Sequence, residues 1–131
     1  MIRGSCLCGG VKFEIDGPFA YASHCHCSMC RKHHGAAFAT YGEAKASGVR
    51  VAAGSGLIAR YASSPGIVRT FCSRCGSTLQ WLNEAKPDKV DFALGILDDD
   101  PGVRAGRHIY VGSKAPWYEI TDPLPQHRET S

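Results

Sequence analysis

Short runs of alternating apolar and polar residues dominate the chain, and turn residues separate them. One run, Val11–Ile15, alternates apolar with polar side chains, and the turn sequence Asp16-Gly17-Pro18 ends it. Runs of this kind are typical of β-strands, because successive side chains point to opposite faces of a sheet. The pattern predicts about eight short strands: Val11–Ile15, Ala36–Tyr41, Val49–Val51, Leu57–Tyr61, Val68–Phe71, Ser77–Trp81, Val90–Leu94 and His108–Val111.

Only Ser28–His34 stands out as a helix candidate, of one or two turns, and Gly35 ends it. Together with the strands, this predicts a mainly β fold with at most one or two short helical turns. At 131 residues the chain is expected to form a single domain, residues 1–131. Its core is expected over residues 3–124. Residues 125–131 form the tail. They end a longer proline-containing segment, residues 116–131, which is predicted to lie along the surface.

Composition and charge narrow the function classes. The net charge is +3 with basic and acidic residues interspersed, so no basic stripe indicates a nucleic-acid partner. We interpret the acidic run Asp98–Asp100 as a loop rather than a cation site. No apolar stretch approaches the roughly 18 residues that a membrane span needs. The first residues, Met1–Ser5, show no apolar signal-peptide region, and the expected location is therefore a reducing cytoplasm.

Seven cysteines stand in three tight groups, which read CLC (6–8), CHCSMC (25–30) and CSRC (72–75). Thiolate ligands of one metal ion usually come in pairs a few residues apart, with a turn between them. In a reducing compartment such groups indicate metal more often than disulfides, and the odd count argues against complete pairing. The cysteines therefore predict metal binding.

The spacing also suggests which cysteines share an ion. Cys25, Cys27 and Cys30 lie within six residues and are expected to bind one ion. The other four form two pairs, each followed by glycine, and are expected to form a second site; they are Cys6, Cys8, Cys72 and Cys75. Four thiolates fill a tetrahedral structural zinc site, whereas three leave a position open for chemistry. The prediction is two zinc ions per chain.

The residue pattern alone leaves several alternatives to two zinc sites open. The chain could hold one four-cysteine site with three spare thiols, an iron–sulfur cluster, or buried thiols without any ligand. His33 or His34 could supply a fourth ligand to the three-cysteine site and so close it. If they do not, they are expected to line the open position or to face solvent. His26 lies between two ligands and is expected to point away from their ion.

An open three-thiolate zinc favours one kind of chemistry. Three thiolates and Zn²⁺ carry a net charge of about −1, which makes the ion a weak Lewis acid that is poorly suited to forming hydroxide. It can still bind a soft substrate thiol and favour its ionised form over the free thiol, whose pKa is about 8.5. Charge therefore favours the addition of a thiol to a carbonyl, or its reverse, over hydrolysis.

Four segments together resemble a known family. They are GSCLCGGV (4–11), CHCSMCRK (25–32), RTFCSRCG (69–76) and KAPW (114–117). In this order and at these intervals they resemble the glutathione-dependent formaldehyde-activating enzyme family, also called the GFA or centromere-protein-V-type domain. The resemblance extends from Arg3 to Leu124 and rests mainly on the three cysteine groups.

The resemblance implies a β-tent fold, in which small antiparallel sheets are organised around zinc. It implies a structural zinc on the four-cysteine set and a catalytic zinc on Cys25, Cys27 and Cys30. It also implies an activity: joining glutathione to formaldehyde to give S-hydroxymethylglutathione, which is classed as a carbon–sulfur lyase reaction. The partners would be a small thiol such as glutathione and a small aldehyde.

Candidate substrate contacts come from residues near the cysteine groups. Arg31, Lys32 and Arg69 could bind the carboxylates of glutathione, and His34 could take a substrate proton. The candidate pocket walls are three aromatic residues, Phe38, Phe71 and Trp117.

The sequence leaves two alternatives to an enzymatic function open. One is a non-catalytic, zinc-stabilised binding module, which requires both metal sites to be closed by protein ligands. The other is a redox or zinc sensor that uses a labile three-thiolate site. The sequence predicts no oligomeric state.

Overall fold

The computed structural model describes residues 1–130, and within them the fold is mainly β, as predicted. The strands are β1 (Ile2–Ser5), β2 (Lys12–Ile15), β3 (Ala22–Cys25), β4 (Ala39–Lys45), β5 (Val49–Ala53), β6 (Ile58–Ser64), β7 (Ile67–Cys72), β8 (Thr78–Asn83), β9 (Lys89–Ala93) and β10 (Ala105–Ile109). The helix is α1 (Ser28–His34). Four single 3-10 turns, Ala46–Gly48, Ser55–Leu57, Leu94–Ile96 and Val111–Ser113, complete the helical content.

Within residues 1–130 the strands form two sheets. A small sheet has the order β1-β2-β5, and a larger one has the order β10-β3-β4-β9-β8-β7-β6. Neighbouring strands run antiparallel, with one exception: β10 pairs with β3 in parallel. Strand β3 thus has hydrogen-bonded neighbours on both sides, which fixes the position of Cys25 at its end.

All eight predicted strands overlap observed ones, but β1 and β3 escaped prediction. Strand β1 contains arginine, glycine and serine, and β3 is buried at three of its four positions. A strand that is covered on both faces lacks the alternation on which the prediction depends. The helix prediction is confirmed, with Cys27 as the N-cap and Gly35 in the left-handed conformation at the C-cap.

Most of the buried apolar side chains in residues 1–130 form two clusters. In the larger one, the Phe13 and Phe92 rings meet edge to face with their centroids 5.1 Å apart, and Cys6 and Cys72 belong to the same cluster. The smaller cluster contains Cys25, Cys30, Ala39, Tyr41 and Ala93. The cysteines of the two predicted metal groups therefore belong to different parts of the core.

The register of the larger sheet places a row of charged and aromatic side chains on one face. Glu43, Asp91, Trp81 and Arg69 are successive partners across β4, β9, β8 and β7. Residues two apart along a strand share a face, so Tyr41 and its small partner Ala93 lie on the same face as this row. Tyr41 and the four residues of this row all line one cavity.

The segment after β10 returns along that strand. The backbone amide of His108 donates to Pro125 O (2.8 Å), and the amide of His127 donates to His108 O (2.9 Å). This agrees with the predicted surface course of the tail, except that Ser131 lies outside the described residues. The predicted extent of the single domain stays a prediction. No helix within residues 1–130 is long and apolar enough to cross a membrane.

We expect Gly54→Ala to lower the free energy of unfolding by about 2–3 kcal/mol. Gly54 has a φ of +76°, and a Cβ there would overlap the backbone oxygen of Gly10. The control is Gly56→Ala, because nothing lies within 4 Å of a Cβ at that position. Urea unfolding of both variants measures the difference, and equal stabilities would contradict the close approach of the two loops.

Candidate functional site

Two groups of cysteine sulfurs are the candidate metal centres. The Sγ atoms of Cys6, Cys8, Cys72 and Cys75 all lie within 4.8 Å of one another, with 3.5 Å between Cys6 and Cys8 and 3.9 Å between Cys8 and Cys72. Metal–sulfur bonds of about 2.3 Å in a tetrahedron place the sulfurs about 3.8 Å apart. The four thiols therefore fit a tetrahedral, thiolate-binding ion such as zinc.

Two glycine-containing turns present these four sulfurs. Gly9 and Gly76 have φ values of +76° and +80°, which glycine adopts without strain. The amide of Gly9 donates to Cys6 O (3.0 Å), and the amide of Gly76 donates to Cys72 O (2.7 Å). The Leu7 amide donates to the Ser77 hydroxyl at 2.8 Å and so joins the two turns.

Hydrogen-bond donors lie beside these sulfurs, and at Cys8 and Cys75 they favour the thiolate, which is the form that binds metal. The Val11 amide donates to Cys6 Sγ at 3.2 Å, and Arg74 Nε donates to Cys8 Sγ at 3.3 Å. The backbone amide of Gly10 and the Arg74 guanidinium hold the pKa of Cys8 below its ordinary value. Hydrogen bonds from Ser77 lower the pKa of Cys75 to about 5.

The second group lies where β3 meets α1. Cys25 ends β3, Cys27 is the N-cap of α1 and Cys30 lies in its first turn. Their Sγ atoms lie within 4.8 Å of one another, and the Cys30 amide donates to Cys27 Sγ at 3.3 Å. No other Cys, His, Asp or Glu in residues 1–130 brings a ligand atom into this group. The protein thus offers three sulfur ligands here.

The three thiols influence one another's ionisation. Hydrogen bonds from Cys25 and Cys30 hold the pKa of Cys27 far below its ordinary value. Hydrogen bonds with Cys27 and Cys30, together with burial, raise the pKa of Cys25 far above its ordinary value. One negative charge therefore opposes a second, and three adjacent thiolates need a cation between them. This donor set fits a soft, thiolate-binding cation.

Neither His33 nor His34 joins the sulfurs. His34 Nε2 lies 2.9 Å from Tyr41 Oη, and burial lowers the pKa of His34 to about 4. Both ring nitrogens of His33 are buried without a hydrogen-bond partner among the described residues. In this structure the three-cysteine group is thus not closed by an imidazole.

A chain of polar groups, which begins with two buried histidines, supports the loop between Cys25 and Cys27. As predicted, His26 points away from the sulfurs: its Nε2 lies 2.8 Å from His108 Nδ1, and His108 Nε2 lies 3.0 Å from Asp122 Oδ2. Asp122 accepts from Nε2–H of His108, so Nδ1 of His108 must accept from Nε2–H of His26. The loop is thereby anchored to β10 and to the returning tail.

A cavity of about 680 Å³ opens from the three thiols across the face of the larger sheet. Ligand sites commonly have volumes of about 300–1,000 Å³. Its aromatic walls are Tyr21, Tyr41, Trp81 and Tyr110, and its charged lining residues are Glu43, Arg69, Lys86, Lys89, Asp91 and Arg107. The cavity is therefore large enough for a small thiol compound and carries both signs of charge.

Of the predicted substrate residues, Arg69 alone lines this cavity; Arg31, Lys32 and His34 do not. The predicted walls lie elsewhere: Phe38 packs on His24 and His26, Phe71 faces His33, and Trp117 is 71 % exposed. The aromatic walls observed instead lie in strands or next to strand ends, spread over about 90 residues, and the pairing of these strands brings them together.

The deep position of Arg69 follows from the pairing of β7 with β8 and β6. Its Nη1 donates to Cys30 Sγ at 3.6 Å and to Tyr41 Oη at 3.4 Å, and its Nε donates to Ser63 Oγ at 3.1 Å. A fixed positive charge thus lies beside the three thiols. At the far end of the cavity, Glu43 accepts from Tyr21 Oη (3.0 Å) and pairs with Lys89 (3.3 Å).

We expect Cys75→Ser and Cys30→Ser to behave differently, although each should remove one metal ion. The four-cysteine group joins the main core to turns more than sixty residues apart, so Cys75→Ser should abolish cooperative unfolding or lower its midpoint strongly. Cys30→Ser should leave the fold largely intact. Elemental metal counts and thermal unfolding measure both effects, and equal destabilisation would contradict this division.

We also expect Asp91→Asn to change how stability depends on pH. Burial and the nearby Glu43 raise the pKa of Asp91 to about 7. Between about pH 4 and pH 7 the unfolded chain has released this proton while the folded chain still holds it, so this carboxyl lowers stability as pH rises. Relative to the parent protein, Asp91→Asn should therefore be more stabilising at about pH 8 than at about pH 5.

Urea unfolding at both pH values tests this expectation, with Asp88→Asn as the control, because Asp88 is exposed. The same stability difference at both pH values for Asp91→Asn would show that its carboxyl titrates normally.

Comparisons with known proteins agree with this picture. The model of the glutathione-dependent formaldehyde-activating enzyme family matches residues 1–113. A Halomonas elongata protein, whose name assigns it provisionally to these enzymes, is 33 % identical over 128 residues, which cover 92 % of this chain and 81 % of the relative. A crystal structure of a Rhodobacter sphaeroides protein has a TM-score of 0.64 and 28 % identity over 75 % of this chain and 89 % of that one. The chain belongs to the glutathione-dependent formaldehyde-activating enzyme family.

Proposed function

We propose that this protein is a zinc-dependent enzyme of the carbon–sulfur lyase type. It adds a thiol such as glutathione to formaldehyde or another small aldehyde. Family membership supports the general activity. The observation that carries the proposal is the three-thiol group, which opens directly onto a cavity and gains no fourth protein ligand from residues 1–130.

The two cysteine groups take different roles in this proposal. Cys6, Cys8, Cys72 and Cys75 would hold a structural zinc ion, since their four sulfurs complete a tetrahedron. Cys25, Cys27 and Cys30 would hold a second ion, which would supply the positive charge that stabilises the ionised sulfur of an incoming thiol. Seven thiols without a disulfide suit a reducing cytoplasm, where we place the protein.

The remaining residues bind and orient the substrates. Tyr21, Trp81 and Tyr110 cover the apolar part of a thiol compound and restrict water beside the sulfurs. Lys86, Lys89 and Arg107 lie farther along the cavity and can pair with its carboxylates. Substrate contacts from Arg31, Lys32 and His34 stay predictions, since these side chains lie outside the cavity lining.

The reaction balances without an oxidant or reductant. The thiol gives its proton to water, its sulfur attacks the carbonyl carbon to form the C–S bond, and the carbonyl π electrons pass to the oxygen. That oxygen then takes up a proton from cavity water, so one thiol and one aldehyde give one hydroxymethyl thioether. The reverse reaction releases both.

Exchange NMR with ¹³C-formaldehyde and glutathione tests this function. We expect catalytic amounts of the zinc-loaded protein to raise the rate of exchange between free and thiol-bound formaldehyde. Cys30→Ser should abolish the increase because it removes a ligand at the cavity. Arg60→Ala, an exposed change on the edge strand β6, should preserve it.

A second measurement separates this function from the binding-module and sensor alternatives. Glutathione should shift the sulfur-to-metal charge-transfer band of the cobalt-substituted protein, because a substrate sulfur joins the three cysteines. An unchanged spectrum at saturating glutathione, with no faster exchange, would refute thiol addition at this site.

A further inference from the structure

Arg69 is the one buried residue among the Arg, Lys, Asp and Glu of residues 1–130, with only 4 % of its surface exposed. Burying a guanidinium is costly unless opposite charge or hydrogen bonds compensate. No carboxylate in the described part of the chain pairs with it. Its partners are instead Cys30 Sγ, Tyr41 Oη and Ser63 Oγ. The sulfur cluster is therefore its counter-charge.

These contacts occupy only part of the guanidinium. Ser63 holds Nε, and Cys30 and Tyr41 hold Nη1, which fixes the plane of the group. Nη2 has no hydrogen-bond partner in residues 1–130. It is also not one of the side-chain atoms in that range that are fully buried without a partner, and Arg69 itself lines the cavity. An arginine carries two N–H donors on this nitrogen. Unused donors of a permanent cation thus lie in the cavity wall beside the sulfurs.

We propose that Arg69 is a catalytic residue of this addition, and that its Nη2 binds the aldehyde oxygen and stabilises the negative charge that forms there. The inference rests on the proposed function. As the C–S bond forms, the carbonyl π bond breaks and its electron pair moves to the oxygen. The guanidinium holds this charge until water supplies the proton. Preorganised donors aimed at developing charge are commonly a large contribution to catalysis.

The position of Arg69 distinguishes this role from the capture of a substrate carboxylate. In the adduct, the oxygen is two bonds from the attacking sulfur, so its binding group must lie close to the thiols. Arg69 meets this condition, since its Nη1 is 3.6 Å from Cys30 Sγ. Lys86 and Arg107 also line the cavity and can serve distant carboxylates. We therefore assign Arg69 to the reacting oxygen.

Three small thiols of similar length but different charge test this assignment: mercaptoacetate, 2-mercaptoethanol and 2-aminoethanethiol. Mercaptoacetate places an anionic oxygen near the sulfur, as the adduct does. Quenching of Trp81, the strand neighbour of Arg69, reports binding in a Trp117→Phe background that removes the other tryptophan. A hydrogen bond to a charged group is stronger than one between neutral groups, so mercaptoacetate should bind at least about 10-fold tighter than 2-mercaptoethanol to the metal-loaded protein.

Arg69→Gln should remove this preference and leave the affinity for 2-mercaptoethanol within about threefold of the parent value. It should also lower kcat for formaldehyde addition by about 100-fold, with little change in the KM for the thiol. Arg69→Lys keeps the charge without the planar fork and should restore part of both effects. If Arg69 only stabilised the fold, Arg69→Gln would not change the order of the binding affinities of the three thiols.

Ser63→Ala provides a second route if Arg69→Gln does not fold, because it removes only the partner of Nε. Ser63→Ala should lower two quantities by a few-fold each: the preference for mercaptoacetate over 2-mercaptoethanol, and the kcat for formaldehyde addition. An unchanged ranking in Arg69→Gln, or in Ser63→Ala where that is the variant that folds, would overturn the role of Arg69 even if catalysis of thiol addition were demonstrated. Failure of all three thiols to bind the parent protein would instead refute the proposed function.

Discussion

Electrostatic repulsion among three neighbouring thiolates is the constraint on which the candidate site depends. Cys25, Cys27 and Cys30 are held within 4.8 Å of one another by a single strand-to-helix junction. Ionising one thiol raises the cost of ionising the next, so the group is stable as thiolates only with positive charge close by. The surroundings supply part of that charge through Arg69, and a bound cation would supply the rest.

The fold holds this junction from several sides. Strand β3 is paired on both edges, with β4 and with the parallel strand β10, so its end has little freedom. His26, His108 and Asp122 link the junction to the returning tail. The four-cysteine group lies in a different part of the core, because its Cys6 and Cys72 belong to the larger cluster of buried side chains. The two candidate metal centres therefore belong to separate parts of the core, which would allow one to stabilise the fold while the other carries out chemistry.

Local patterns predicted the parts of this structure that short-range chemistry determines. The end of α1 followed from Gly35, and the strand pattern located eight of the ten strands described in residues 1–130. The association of Cys6 and Cys8 with Cys72 and Cys75 was also predictable, since each pair needs two more thiolates. Strand β3 was not, because a doubly covered strand loses its alternation.

The cavity and its buried charges were beyond the reach of sequence patterns. Arg69 lies 39 residues from Cys30, and His26 lies 82 residues from His108, and no local signal connects either pair. Their contacts depend on strand order and register. The sequence named Arg69 as a candidate contact for a substrate carboxylate, but its sequence position gave no reason to place it beside the sulfurs rather than at the surface.

X-ray absorption at the metal edge of the fully loaded protein tests the central claim most directly. One centre with four sulfur ligands and one with three give an average of about 3.5 sulfurs per metal ion. The account predicts this value for the free protein and a rise toward about 4 on adding a saturating substrate thiol. An average of 4 before thiol is added, or no change afterwards, would show that the second centre has no position open to substrate.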